Sequence, residues 1–313
     1  MELIYLGTPA FAVPTLDKIL RNGHKVLAVY TQPDRPKGRG GQVAQSPVKE
    51  AALRNGLPVR QPERVRRPEV VEELRALAPR VMVVVGYGQI IPQSIIDIPA
   101  LGIINVHASL LPKYRGAAPI QWAVANGETR TGVTTMRIDA GLDTGDMLLK
   151  WETEIGPEEN AIDLGERMAA AGADLLVKTL SGLEAGSIQA EAQNGEDATL
   201  APILKKEDGL VLWPEQPASV VFNRGRGLLP WPGVYSYFRG QVFHIWKSQV
   251  TGGGGGKPGH VRAEKKRLLV DCAGGTVLQL LDVQVEGRKR LSAEAFLNGQ
   301  RLEDNETLGV KPN

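Results

Sequence analysis

The sequence predicts an α/β domain with a mostly parallel sheet, followed by a second, smaller domain of short strands. Three observations lead there. Apolar, strand-length runs alternate with amphipathic helical segments across residues 1–189. The pattern loosens over residues 190–206, as a linker does. Across residues 207–313 short strands recur between glycine turns, the signature of a small β-barrel or sandwich. A chain of 313 residues is long enough for two domains, and 42% hydrophobic residues can fill two cores.

Glu2–Leu6 reads as the first strand, closed by Gly7-Thr8-Pro9. Phe11–Arg21 follows as a helix with Leu16, Ile19 and Leu20 on one face, and Lys25–Tyr30 is the second strand. This strand–glycine–helix–strand opening is Rossmann-like, but its first turn lacks GxGxxG, so nothing points to a dinucleotide. Thr31–Lys49 reads as a long loop kept irregular by proline and glycine. It carries Arg35, Lys37, Arg39 and Lys49 against Asp34, which suits a phosphate backbone as well as a solvated connection. Pro68–Leu77 is a helix, and the wholly apolar Val81–Val85 suits a sheet centre covered on both faces. Ile103–His107 is the next strand, followed by a helix over Ala117–Ala125 and a strand over Gly132–Ile138. Asp139–Asp146 is an acidic turn, and Asn160–Leu183 is a long helix with Asn160 as its cap. In the second domain, strands are expected at Leu210–Trp213, Gly233–Phe238, Gln241–Trp246, Arg267–Asp271 and Thr276–Val283.

Composition removes several classes of function. The one cysteine, Cys272, permits no disulfide within the chain and suits a reducing, cytoplasmic compartment. His24, His107, His244 and His260 show no metal-ligand spacing, so no metal is expected. No basic leader precedes a long apolar run, and no stretch approaches 18 apolar residues, so neither signal peptide nor membrane span is expected. A formal charge of +2 does not demand a polyanion. Residues 206–313 hold 15 Lys and Arg against 11 Asp and Glu, a mildly basic part compatible with phosphate contacts.

The chemistry concentrates on Ile103-Ile-Asn-Val-His107 and the loop after it. Side chains alternate along a strand, so Asn105 and His107 share a face, with Cα atoms about 6.5–7 Å apart. Pro112 and Gly116 end the strand at its carboxyl side, where open α/β sheets bind ligands. Each residue alone has an ordinary reading, as a turn-forming asparagine or a hydrogen-bonded core histidine. Together they offer an oxyanion donor and a proton carrier. Asp143, bracketed by Gly141 and Gly145, is the carboxylate expected to face His107 and fix its tautomer. The Asp-Gly run lacks the DxDxDG spacing of a calcium loop. Ser109 lacks a GxSxG elbow and Cys272 lies in the other domain, so direct transfer, with the acceptor itself attacking, is favoured. The set fits acyl transfer straight to an acceptor such as an α-amine.

NVHASLLPKYRGAAPIQWA and VTTMRIDAGLDTGDML together resemble the folate-dependent formyltransferases. The opening LGTPAFAVPTL, the loop TQPDRPKGRG, VMVVVGYGQIIP and LPWPG resemble the same family. The resemblance implies a Rossmann-like catalytic domain and an OB-like barrel that holds tRNA. It implies formyl transfer from 10-formyltetrahydrofolate to the amino group of initiator methionyl-tRNA, for translation initiation. It assigns Asn105, His107 and Asp143 to catalysis. Ser109, Leu110, Leu111 and Pro112 correspond to the folate-contacting segment, and the loop with Arg35, Lys37 and Arg39 to the one that reaches the tRNA. The chain departs from the family pattern at Gly41-Gln42-Val43, where lysines are common, and at Leu229, where asparagine is common. A monomer is expected.

Two other functions share these features. A folate-dependent formyltransferase acting on a small amine, such as a nucleotide-sugar or a purine precursor, would keep the same trio; the basic loop and second domain favour tRNA, and a purine-type enzyme would not need the second domain. A nucleic-acid-binding module with a degenerate enzyme domain would not need the trio.

Overall fold

The computed structural model describes residues 1–37 and 42–309. In the first half of the chain the elements are β1 (Glu2–Gly7), α1 (Val13–Arg21), β2 (Lys25–Tyr30), β3 (Arg35–Lys37), β4 (Gln42–Ala44), α2 (Pro47–Arg54), β5 (Val59–Arg60), α3 (Pro68–Leu77), β6 (Val81–Val85), α4 (Gln93–Ile96) and β7 (Ile103–His107). There follow β8 (Arg115–Gly116), α5 (Pro119–Ala125), β9 (Arg130–Arg137), β10 (Met147–Glu154), α6 (Ala161–Glu184) and β11 (Leu200–Ala201). The last are α7 (Ala218–Gly227), β12 (Val234–Phe238), β13 (Gln241–Thr251), β14 (Val261–Glu264), β15 (Arg267–Asp271), β16 (Val277–Val285), β17 (Leu291–Ser292), α8 (Ala293–Gly299) and β18 (Leu308–Gly309).

Two compact units result, and neither is one linear segment. The first holds Met1–Pro119, Arg130–Glu154 and Gly165–Pro202. The second holds Ile120–Thr129, Ile155–Leu164 and the chain from Ile203 onward.

The first unit is built on a sheet in the order β10-β9-β7-β6-β1-β2-β5. Strands β7, β6, β1, β2 and β5 run parallel, while at one edge β9 runs antiparallel to β7 and β10 antiparallel to β9. The all-apolar β6 is buried along its whole length, as a strand covered on both faces requires. Helix α6 covers one face. In this unit it buries Met168, Leu175, Leu176 and Leu180, each contributing about 1.5–3 kcal/mol. That outweighs the roughly 1 kcal/mol cost of a glycine within a helix. Gly172 is needed there, because a Cβ at that position would come within 3.0 Å of Val106 and 3.4 Å of Val133.

The loop expected over Thr31–Lys49 contains more order than its composition suggests. β3 and β4 pair as a short hairpin, and α2 begins at Pro47. The Ser46 hydroxyl caps α2 by accepting from the Lys49 amide at 3.1 Å, and Val48, Ala51 and Ala52 are buried. Lys49 and Glu50 broke the apolar run and hid this helix in the sequence. The α6 cap is as expected, with Asn160 Oδ1 accepting from the amides of Ile162 and Asp163 at 2.8 and 3.1 Å.

The second unit is an antiparallel sheet in the order β14-β15-β16-β13-β12-β18. It curls until its ends meet. The Val261 amide donates to the Glu306 carbonyl at 2.8 Å, and the Leu308 amide to the Gly259 carbonyl at 2.8 Å. The inside is filled by Trp213, Phe238, Phe243, Val270, Leu278 and Phe296. Leu210–Trp213, expected as a strand, makes one isolated bridge from Leu210 to Tyr235, and Trp213 plugs the core instead. Helices α7 and α8 were not expected, because their short apolar spacing is interrupted by glycine and polar residues. Among the described residues no helix is long and apolar enough to cross a membrane.

Cys272 is fully buried, and burial pushes its thiol up to about 12. At pH 8 roughly one thiol in 10⁴ is then ionised. Iodoacetamide should leave the native protein unmodified and should label it once guanidinium unfolds the chain. The added mass reads the difference.

Candidate active site

β7 joins the parallel and antiparallel parts of the sheet. Val84 of β6 lies opposite Asn105, and Met136 and Thr134 of β9 lie opposite Asn105 and His107. Val106 points to the α6 face. Asn105 and His107 therefore share the other face, by the alternation of strand side chains.

The third member arrives from a loop. After β9 the chain passes Asp139, whose carboxylate accepts from the Gly141 amide at 3.0 Å and the Thr144 hydroxyl at 2.8 Å. Asp143 sits at the top of this turn with a φ of 51°, in the left-handed region. Its Oδ2 accepts from the Gly116 amide at 2.8 Å, and its Oδ1 receives the Asn105 amide nitrogen at 3.4 Å. Oδ2 also stands 3.7 Å from His107 Nδ1. The structure thus brings Asn105, His107 and Asp143 together. The side chains of His107 and Asp143 are 6% and 17% exposed, so both are shielded without being sealed off.

The tautomer of His107 is set differently from the expectation. Its Nε2 lies 2.9 Å from the Tyr114 carbonyl, which can only accept. The hydrogen of the neutral ring is therefore on Nε2, and Nδ1 holds the lone pair facing Asp143. The 3.7 Å gap to Asp143 exceeds a hydrogen bond, so the backbone at Tyr114 fixes the tautomer and Asp143 does not. Nδ1 is the nitrogen free to take or release a proton.

The loop after β7 is held from beneath. Ser109 is fully buried, and its hydroxyl donates to the Lys113 carbonyl at 2.6 Å. The Thr134 hydroxyl donates to the Ser109 carbonyl at 2.7 Å and accepts from the Leu111 amide at 3.2 Å. Leu111 is buried against Met136 and Met147. Ser109 and Leu111 thus shape the loop from inside, while Leu110 and Pro112 keep partly exposed apolar surface. An amide donor, an imidazole with one free nitrogen and a fixed carboxylate line this face. Such a set can stabilise a developing oxyanion and relay a proton.

A family model described as formyl transferase matches residues 1–180, and one described as the formyl transferase C-terminal domain matches residues 203–301. The chain belongs to the formyl transferase family. A methionyl-tRNA formyltransferase from Solibacter usitatus is 66% identical over 99% of this chain and 99% of its own. One from Koribacter versatilis is 54% identical, again over 99% of each chain. Among solved structures, an N-formyltransferase from Helicobacter canadensis, in complex with folinic acid and dTDP-3-aminofucose, covers 89% of this chain and 98% of its own. Its TM-score is 0.69 at 20% identity, a likeness of fold.

The basic loop of this formyltransferase is only partly described. Arg35 is exposed on β3, whose backbone also includes Lys37, and Arg39 lies outside the described residues. Lys49 is engaged elsewhere, in a 2.5 Å ion pair with Asp34. The Lys49 hydrogen bond, then that of Gln61, holds the Asp34 carboxyl below its ordinary range. Sequence reasoning also missed three parts of the site, namely the Tyr114 carbonyl, Thr134 and Gln193. A backbone carbonyl and a strand threonine carry no sequence signal. Gln193 stood in the stretch expected to be a linker. In the structure that stretch hydrogen-bonds back to the loop after β7, with β11 parallel to β8 and the Tyr114 amide donating to Thr199 Oγ1 at 2.9 Å.

Thr134→Val keeps the shape and strands the Ser109 carbonyl and Leu111 amide. Each buried unsatisfied group costs about 1–3 kcal/mol. The variant should show a clearly lower denaturant midpoint with an unchanged slope.

Proposed function

We propose that this chain transfers a formyl group from 10-formyltetrahydrofolate to the α-amino group of initiator methionyl-tRNA, the modification used in translation initiation. The observation that carries this reading is the identity of 66% and 54%, over essentially whole chains, to two proteins named methionyl-tRNA formyltransferase. The donor is the one implied by the resemblance of NVHASLLP and GLDTGD.

The residues can be given roles that balance. The amine attacks the formyl carbon, a C–N bond forms, and the bond from that carbon to the folate nitrogen breaks. Asn105 donates its amide to the formyl oxygen as charge develops there. Its 3.4 Å contact to Asp143 uses one amide hydrogen and leaves the other for substrate. His107, held through Nε2, works through Nδ1. It passes the proton lost by the amine to the departing folate nitrogen, and as an imidazolium it also supports the oxyanion. Asp143 stands 3.7 Å from His107 Nδ1 and balances the positive charge of the imidazolium. Leu110 and Pro112 offer apolar surface to the folate, with Ser109 and Leu111 shaping the loop behind them. Arg35, Lys37 and Arg39 meet tRNA phosphates, and the domain from residue 207 holds the rest of the tRNA. The protein works as a cytoplasmic monomer.

Mixing the protein with charged initiator tRNA and the folate donor should add the mass of one formyl group to the methionine. Product with a nucleotide-sugar amine and none with the tRNA would overturn the reading. Asn105→Ala should lower kcat by about 10²–10³, and His107→Ala by about 10²–10⁴, with circular dichroism unchanged. Arg35→Ala should raise KM for the tRNA, leave KM for the folate donor unchanged, and flatten the salt dependence of tRNA binding by about one charge.

A further inference from the structure

Gln193 lies far along the chain from the trio, yet both hydrogens of its amide nitrogen are spent on the Asp143 turn. Its Nε2 donates to the Asp143 carbonyl at 2.8 Å and to the Gly145 carbonyl at 2.7 Å. Its Oε1 accepts from Arg115 Nε at 3.0 Å and Nη2 at 2.7 Å. Two carbonyls can only accept and a guanidinium can only donate, so the amide has one possible orientation. Arg115 fixes which end of Gln193 faces the turn.

The turn needs such a hold. Asp143 has a φ of 51° without being glycine, a conformation an L residue keeps only when its surroundings impose it. Asp139 braces the turn from within through the Gly141 amide and the Thr144 hydroxyl; the Asp143 carboxylate is met by Asn105 and by the Gly116 amide, and Gly116 belongs to β8, next to Arg115. β8 in turn pairs with β11. Arg115, Gly116 and Gln193 therefore form one assembly, in which side chain and backbone locate the same aspartate from two directions. Met147 and Glu191 exchange backbone hydrogen bonds at 2.8 and 2.9 Å and set where Gln193 begins its reach.

We infer that Gln193, oriented by Arg115, is a positioning residue of the formyl-transfer site. It holds the Asp143 turn in its left-handed conformation, so that the carboxylate stays beside Asn105 and His107. This rests on the role proposed above for Asp143. Neither Gln193 nor Arg115 touches substrate in this scheme. A displacement of about 1 Å in a reacting constellation can cost on the order of 10²-fold in rate.

Gln193→Met keeps the length and removes all four hydrogen bonds. It should lower kcat about 10- to 100-fold, leaving KM for charged tRNA and folate donor within about threefold. Gln193→Glu still accepts from Arg115 but turns an oxygen toward two carbonyls, and should lose at least as much. Arg115→Met should give a smaller loss in the same direction and add little to Gln193→Met. The deciding measurement is the cycle with Asp143→Asn. If Gln193 acts through Asp143, Gln193→Met costs little further in that background, because members of one unit are strongly non-additive. A kcat within twofold of the parent for Gln193→Met, beside a strongly impaired Asp143→Asn, would overturn the inference and leave the reading of the site intact. Equal multiplicative losses in both backgrounds would also overturn it. Full activity of Asp143→Asn would overturn both. Should Gln193→Met not fold, Arg115→Met carries the same cycle.

Discussion

The site depends on a turn being folded back over a sheet and kept there. β9 runs antiparallel to β7, so its last residues lie beside the amino end of β7, with Arg137 opposite Ile104 and the Ile138 amide bound to the Ile103 carbonyl. The next segment, Asp139–Asp146, leaves from that end. Asp143 nevertheless meets Asn105 and His107 further along β7. Strand pairing alone does not carry it there. The hold comes from donors outside the sheet, the Gly116 amide and the Gln193 side chain, and both depend on the chain after α6 returning to pair with β8.

The opposite face is fixed by packing. Helix α6 approaches β7 and β9 closely because Gly172 has no side chain to hold them apart. Buried hydroxyls work in the same layer. Thr135 and Thr179 share a hydrogen bond at 2.8 Å, which ties α6 to β9. One residue earlier, Thr134 holds the loop after β7. Neighbouring threonines on one strand thus secure the helix on one side and the loop on the other, as strand alternation requires. A rigid support of this kind keeps the amide, the imidazole and the carboxylate in fixed positions relative to one another.

The second unit is held by different forces. Its curled sheet buries a cluster of Phe238, Phe243 and Phe296, with ring centroids 5.4–5.7 Å apart. Trp213 fills the same interior and donates its indole N–H to Ser236 at 2.9 Å. The buried Asp271 is paired with Arg262, so the charge is compensated where it is desolvated, and His260 Nδ1 lies 3.4 Å from the same carboxylate. This unit presents a mildly basic chain segment, and its fold leaves no resemblance to the parallel architecture of the first.

Much of this was legible in the residues themselves. Apolar β6 and β7, the helix over Pro68–Leu77 and the Asn160 cap follow from side-chain chemistry over a few neighbours, which is the range at which sequence patterns act. The placement of Asn105 and His107 on one face follows from the pleat alone. The encounter with Asp143 was an expectation that only the tertiary structure could meet, because it depends on a turn conformation and on contacts from residues far along the chain. The same is true of the Tyr114 carbonyl that chooses the histidine tautomer and of Gln193 that holds the turn. A backbone carbonyl looks alike at every position, and a glutamine declares no partner. Their roles arise when the fold brings a donor to an acceptor, and that distance is not written in any local pattern.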